Sequence, residues 1–278
     1  MDERRFKFGR NWKAFTRHVD EQRIDDARGS LTRLTGLTDF TGLRLIDVGC
    51  GSGLFSLAAA RLGARVHSFD YDAESVESTR AIKARFAPDR GDWTIEQGSI
   101  LDDAYVKRLG TFDVVYSWGV LHHTGQMHQA FEHAANLAAP GGRLAIAIYN
   151  DQGWISRYWL AVKRAYNANA LSRALVITAH LPYLAARWTM RTLKSRRPER
   201  GMRLWTDLLD WLGGYPFEVA TPAHVIAFFE RAASRHRGSG RADAGTAATS
   251  SSFTGPADPR AHARPSRRST MNANIAQR

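Results

Sequence analysis

Leu45-Ile-Asp-Val-Gly-Cys-Gly-Ser-Gly53 is a short apolar strand that runs into a turn with glycine at every second position, and a helical segment, Leu54 to Leu62, follows at once. Small residues at a strand-to-helix turn let the backbone approach a ligand closely and take up φ > 0 where it must. The helix N-terminus behind them offers N–H groups to polar or negative atoms. Gly63 stops the helix, Ala64 to Phe69 reads as a second strand, and Asp70 follows its carboxyl end. A carboxylate at that place can accept hydrogen bonds from two ribose hydroxyls.

Spacing separates the two cofactor classes that use this layout. The dinucleotide fingerprint is G-x-G-x-x-G. Here the third glycine arrives one residue early, at Gly53, and Leu54 stands where the dinucleotide pattern needs glycine. Asp47 sits two residues before the first glycine. Its charge would welcome an ammonium group and oppose a pyrophosphate.

Outward from this turn, Leu43 to Asn150 alternates strand and helix. The spacing predicts helices over Ala73–Phe86, Asp102–Leu109 and Met127–Leu137, and strands over Trp93–Gln97, Phe112–Ser117 and Arg143–Tyr149. Five apolar strands separated by helices predict an α/β, Rossmann-like, doubly wound and mostly parallel sheet covered on both faces. Right-handed crossovers place the ligand crevice at the carboxyl ends of those strands. The loops Asp47–Gly53, Asp70–Tyr71, Gly98–Asp102 and Ser117–His123 therefore converge on one cleft.

The Asp47-x-Gly49-x-Gly51-x-Gly53 turn, the stretch from Phe112-Asp113 to His123 (FDVVYSWGVLHH) and Pro140-Gly-Gly142 before the fifth strand together resemble class I S-adenosylmethionine-dependent methyltransferases. The likeness covers about 110 residues and is nearest to the quinone-methylase-like and type 11 bacterial groups. It implies S-adenosyl-L-methionine as cofactor. It places Gly49, Gly51 and Gly53 along the methionine part, with Asp47 and Cys50 of the same turn among the cofactor-binding residues, Asp70 on the ribose, Tyr71 beside the adenine, and Ser99 and Ile100 at its edge and face. Ser117 and Trp118 would line the methyl-transfer side. As a nucleophile Cys50 is a poor choice, because a small residue suits a crowded turn.

Methyl transfer gains much of its rate from positioning, and a hydroxyl acceptor also needs a base or a metal. His123 and His122 follow the fourth strand and are the catalytic candidates. Either one takes a proton, or the pair is structural, with one ring packed and the other bound to backbone. No cluster has metal-ligand spacing.

The chain divides into five stretches. Residues 1–40 form an N-terminal helical lid or a simple packing cap, with Phe6, Phe8, Trp12 and Phe15 on one face and Arg10, Asn11 and Trp12 near the opening. Residues 41–150 are the cofactor-binding core. Residues 151–214 are a helical insertion after the fifth strand, holding five of the eight tryptophans. Within it Tyr158, Trp159, Val162 and Tyr166 repeat at helical spacing, with Arg157, Lys163 and Arg164 on other faces. It either packs on the sheet or caps an acceptor pocket, where aromatic walls and basic edges suit a flat or lipophilic acceptor carrying negative charge. A peripheral membrane contact through the same basic face is a further expectation. Trp211 to Phe217 reads as an aromatic turn, and 215–231 holds the last core helix, opened by Pro222.

Residues 232–278 read as a disordered basic tail. Phe253, Met271 and Ile275 are its only large apolar residues, and lysine and glutamate are absent. The final β-hairpin of the fold is missing from the pattern. Either a shifted reading frame begins near Arg231 to Ser234, or the tail is natural.

Net charge is +12, but eight arginines against Asp243 and Asp258 put +6 of it in residues 235–278. The single cysteine excludes a disulfide framework and fits a cytoplasmic protein. His180, Pro182, Arg187 and Arg191 interrupt the run Ala174–Leu193, so no transmembrane segment is expected. The expected function is methyl transfer to an oxygen or carbon of a small aromatic, lipid-linked or sugar-derived acceptor. Ser117-Trp118-Gly119-Val120 is unlike the Asn/Asp-Pro-Pro-aromatic loop of nucleic-acid amino-methyltransferases. A tRNA-directed enzyme using the basic insertion, or an inactive cofactor-binding relic, are the alternatives.

Overall fold

The computed structural model describes residues 9–194, 212–238, 250–252 and 273–277. Phe6, Phe8, Trp205, Trp211 and Arg203 lie outside the described residues. The chain begins with helices α1 (Gly9–Thr16) and α2 (Glu21–Thr35). The Asp20 carboxylate accepts from Arg23 N at 2.9 Å to start α2, and Gly36 in the left-handed region (φ 67°) ends it.

The core then alternates β1 (Arg44–Val48), α3 (Leu54–Arg61), β2 (Arg65–Asp70), α4 (Ala73–Phe86), β3 (Trp93–Gln97), α5 (Asp103–Leu109), β4 (Phe112–Trp118), a 3-10 turn (Leu121–His123), α6 (Met127–Asn136) and β5 (Ala138–Ile148). Asp72 and Asp102 cap α4 and α5 by accepting from Glu74 N and Tyr105 N, which fixes both helix starts just past the strand ends.

The strands lie in the order β3-β2-β1-β4-β5, all parallel, with β1 at the centre between β2 and β4. Alternate residues serve two apolar layers. Ile46, Val115 and Phe69 face one layer with Phe131 of α6, while Leu45, Val114 and Val66 face the other with Leu31, Leu57 and Ile82 of α2, α3 and α4. Burial on both faces is why these strands read as continuous apolar runs rather than alternating ones. β5 departs most in length: it starts at Ala138, five residues before the predicted start. Pro140-Gly-Gly142 is carried inside it as an irregularity opposite Phe112–Val114.

After β5 come α7 (Trp154–Ala168) and α8 (Ala170–Lys194), then α9 (Pro222–Gly238). The two insertion helices lie side by side: Tyr158 Oη and His180 Nε2 are 2.8 Å apart, and Ser172 Oγ donates to Ala165 O at 2.6 Å. The assignment of faces on α7 needs correction. Tyr158 is exposed and Lys163 is buried, whereas Val162 and Tyr166 do form the inner stripe. A four-carbon stem lets a lysine bury along apolar surface as readily as a shorter side chain.

The predicted end of the last helix is also corrected. It continues past residue 231 to Gly238 because Ala232 and Ala233 are still buried with Phe229. The tail is not wholly without structure either. Ala273–Gln277 (β7) pairs parallel with β5, and Ser250–Ser252 (β6) pairs parallel with β7. Neither forms the antiparallel hairpin expected to close such a sheet. The open edge of β5 offers N–H and C=O groups to any segment, so small residues can pair there without a core of their own.

Candidate functional site

The glycine turn sits at the carboxyl end of β1, the central strand. All three glycines have positive φ: 75° at Gly49, 55° at Gly51 and 77° at Gly53. Gly49 and Gly53 are also sterically closed, and Gly51 is tight. A Cβ on Gly49 would lie 2.5 Å from the Val120 methyls, and one on Gly53 would lie 2.9 Å from the backbone Cα of Thr79. A Cβ on Gly51 would lie 3.0 Å from the indole of Trp12. Gly49 N and Cys50 N donate to Phe69 O at 2.9 and 3.1 Å, which ties the turn to the end of β2.

Asp70 is the last residue of β2. Its carboxylate accepts from Gly51 N at 3.0 Å and from Asp72 N at 2.9 Å, so the acidic group is held against the turn itself. Tyr71 is exposed, and its carbonyl accepts from Gln97 Nε2 at 3.0 Å. The next loop is anchored from beneath. Ser99 Oγ accepts from Leu101 N at 3.1 Å, and the buried His133 donates through Nδ1 to Ile100 O. The Ile100 side chain is buried in the layer that contains Phe69 and Val106.

Asp47 is fully buried. It accepts from Ser56 Oγ, which accepts from Ser68 Oγ at 2.8 Å, which accepts from Trp93 Nε1 at 2.8 Å. Burial, with a smaller contribution from the Asp70 charge, pushes its carboxyl up from 3.8 to about 7. A cation placed in this turn would reverse that shift. Cys50 is buried too, and the Thr79 hydroxyl donates to its sulfur at 3.2 Å. Burial and the two aspartates push the thiol well above its ordinary value, which suits a packing residue and not a nucleophile.

On the other side of the turn, Ser117 Oγ donates to Val48 O at 3.0 Å and so ties β4 to β1. Trp118 stacks on Tyr116 with ring centroids 6.0 Å apart. Gly119 and Val120 then carry the chain over Gly49 into the 3-10 turn that holds both histidines. His122 packs 4.3 Å from the ring of His123 and 4.2 Å from that of Tyr149, which follows β5. His123 Nδ1 lies 2.6 Å from Pro216 O and donates to it. In the neutral ring the basic nitrogen is then Nε2.

The residues 212–220 close this corner. Glu218 N donates to His122 O at 3.0 Å, and the Glu218 carboxylate accepts from Met127 N at the start of α6. Phe217 packs 5.3 Å from Tyr149, and Lys163 Nζ of α7 stands 5.0 Å above the Phe217 ring. His122, His123, Tyr149, Phe217 and Lys163 therefore form one aromatic and basic cluster beside the glycine turn. Tyr149, Phe217 and Lys163 carried no motif in the sequence. The signals for them were indirect: the end of the fifth strand for Tyr149, the aromatic turn for Phe217 and the basic insertion for Lys163. Among the described residues no group of three metal-ligating side chains comes together.

The N-terminal helix packs beside the turn. Gly9 N donates to the Asp72 carboxylate at 2.7 Å, and Trp12 rests on Gly51.

A family model described as a methyltransferase domain matches residues 19–219. An O-methyltransferase of ubiquinone biosynthesis from Caulobacter sp. (strain K31) is 33% identical over 115 residues, covering 41% of this chain and 44% of that protein. Its counterpart from Xanthomonas oryzae pv. oryzae (strain PXO99A) is 32% identical over 112 residues, covering 40% and 45%. The chain thus spans less than half the length of these curated relatives. Among solved structures, an S-adenosylmethionine dependent methyltransferase from Mesorhizobium loti is 28% identical with a TM-score of 0.33, covering 41% of this chain and 49% of that one.

Proposed function

Because the chain belongs to the methyltransferase-domain family, in the class I group that uses S-adenosylmethionine, we propose that it carries that cofactor's methyl group to an oxygen of a small, anionic aromatic acceptor. The observation behind this reading is the cluster of His122, His123, Tyr149, Phe217 and Lys163 at the carboxyl ends of β4 and β5, next to the glycine turn. The curated relatives are named for O-methylation in ubiquinone biosynthesis, which agrees with an oxygen nucleophile.

The residues present fit the cofactor. Gly49, Gly51 and Gly53 give a turn free of side chains, Asp70 offers a carboxylate oriented by two backbone N–H groups, and buried Asp47 favours a cation. Cys50 shapes the turn, Tyr71, Ser99 and Ile100 would hold the adenine, and Ser117 and Trp118 would flank the transferring methyl. When bound, the sulfonium supplies an electrophilic methyl carbon. The protein's part is then to orient the acceptor and take its proton. His123 takes the hydroxyl proton at Nε2 while Nδ1–H donates to Pro216 O, which holds the ring and stabilises the imidazolium. Lys163 and the faces of Tyr149 and Phe217 hold an anionic ring.

Helix α1 acts as a lid in this reading. Replacing Trp12 with alanine is expected to weaken cofactor binding about fivefold, roughly 1 kcal/mol. An unchanged affinity would leave α1 a packing helix. For the reaction itself, the full chain is titrated with S-adenosylmethionine by calorimetry. It is then assayed with labelled cofactor against hydroxybenzoates, catechols and transfer RNA. Cofactor binding with label transferred to a phenolic carboxylate supports the proposal. Transfer to RNA alone, or binding without transfer to any acceptor of this class, overturns it.

A further inference from the structure

Six large hydrophobic side chains are exposed among the described residues, and five of them lie on the two insertion helices: Trp154, Tyr158, Leu171, Leu175 and Leu181. They recur at helical spacing, Trp154 with Tyr158 on α7 and Leu171 with Leu175 on α8. Leu171 keeps 72% of its surface exposed and Trp154 69%. The opposite stripe of the same helices, with Val162, Tyr166, Trp159, Val176 and Ile177, packs inward with Leu212. Each helix is therefore apolar on two sides, and among the described residues only one of them is packed inward. A monomeric soluble surface seldom leaves such residues gathered on one element.

The charge around them is one-sided. Between Asp151 and Glu199 the chain has nine arginines and lysines and no aspartate or glutamate. Arg157 and Arg164 are exposed on α7, and Arg173 is exposed on α8. No helix among the described residues is long and apolar enough to cross a membrane. Leucines beside a tryptophan and a tyrosine, on two helices that carry cations and no aspartate or glutamate of their own, are instead the composition of a helix that lies in the interface of a bilayer. Anionic headgroups attract such cations, and the attraction decays within a Debye length.

We propose that the outer face of the α7–α8 pair docks on an anionic lipid bilayer. The aliphatic residues decide against a nucleic acid. Leu171, Leu175 and Leu181 offer nothing to a phosphate and no ring to a base, whereas single-stranded RNA is held by aromatic stacking above cations. The place in the fold agrees with a lipophilic substrate. Lys163, on the inner side of α7, touches Phe217, so the exposed face is one helix thickness from the aromatic cluster. The docking itself does not depend on which acceptor is methylated.

The test is co-sedimentation of the full chain with vesicles of phosphatidylcholine containing about 30% phosphatidylglycerol, and with phosphatidylcholine alone. Binding to the anionic vesicles is expected to be about tenfold tighter and to fall in 1 M salt, where the Debye length is about 3 Å. Two companions separate the apolar part. The double variant Leu171→Glu, Leu175→Glu should lose about tenfold or more in vesicle affinity while its circular dichroism is unchanged. Fluorescence of wild-type protein should shift to the blue and be quenched by brominated lipid, and Trp154→Phe should lose part of that quenching. Failure to bind anionic vesicles overturns the proposal. So does binding that the double variant retains, or retention on an RNA homopolymer without vesicle binding. A concentration-dependent dimer that the double variant abolishes, again without vesicle binding, assigns the face to self-association and overturns it equally.

Discussion

The cofactor turn and the acceptor cluster lie side by side but are built in opposite ways. The turn is made of backbone: three glycines with positive φ, main-chain bonds to Phe69 O, and a carboxylate held by Gly51 N and Asp72 N. It comes from two neighbouring strands. The cluster is made of side chains from the 3-10 turn after β4, the residue after β5, α7 and the residues before α9, brought together over nearly a hundred positions, as in His123 with Pro216. A site made of backbone is damaged by adding atoms. A site made of side chains is damaged by removing them, and its loss need not disturb the fold.

The largest effect tests the side-chain half. His123→Gln is expected to lower kcat by about 10² to 10⁴, the range for losing a general base, while cofactor affinity and melting temperature stay unchanged. If kcat is kept, the two histidines are packing residues only. The backbone half should respond in the other currency. Gly53→Ala adds a Cβ 2.9 Å from the Thr79 Cα at a φ of 77°. Denaturant titration should show a loss of roughly 2 to 5 kcal/mol from strain and overpacking together. A variant as stable as wild type would mean the turn can relax, and would remove the contrast between the halves.

These differences also decided what could be read from the chain. Gly49, Gly51 and Gly53 were legible because positive φ restricts residue type, so geometry writes itself into composition. The five strands were legible because burial on both faces demands apolar runs. Lys163 was not, because helical spacing alone does not tell an inward lysine from an outward one. Tyr149 and Phe217 were not, because their meeting depends on where residues 212–220 cross the sheet. The start of β5 was misplaced because Pro140-Gly-Gly142 looks like a loop and is instead an irregularity within the strand. The end of α9 was misplaced because Ala232 and Ala233 bury well without large side chains.

Asp47 belongs to the backbone half yet is its one titrating device. In the fold its carboxyl is raised from 3.8 to about 7 by burial. The unfolded chain therefore releases this proton first as pH rises. Below about 4 both states are protonated and the group is neutral to stability; between about 4 and about 7 stability falls, and the full cost is present above that. Asp47→Asn keeps an acceptor for Ser56 and removes the cost. The variant should match wild type at the acid end and be more stable at pH 8, by a few kcal/mol and on the order of 4 at most. Cofactor binding should move the opposite way. A bound cation favours the ionised carboxylate, so wild-type affinity rises with pH across this window and the variant's does not. Calorimetry at several pH values reads both.

The smallest effect concerns the residue that joins the halves to the insertion. Lys163 is buried over Phe217, and burying an ammonium costs several kcal/mol unless interactions return it. If its purpose were stability, Lys163→Met would destabilise the protein. A methionine of similar length fills the same space and keeps the packing on Phe217, so the change in melting temperature should be small. An anionic acceptor should lose the charge-assisted contact, raising KM about tenfold, roughly 1.4 kcal/mol, with kcat and cofactor affinity little changed. A neutral acceptor of the same shape should lose nothing. Equal losses for both acceptors would show that Lys163 shapes the pocket rather than reading charge, and a fall in melting temperature with no change in KM would return it to the core. Only the split between the two acceptors identifies a cation kept in the interior for its ligand.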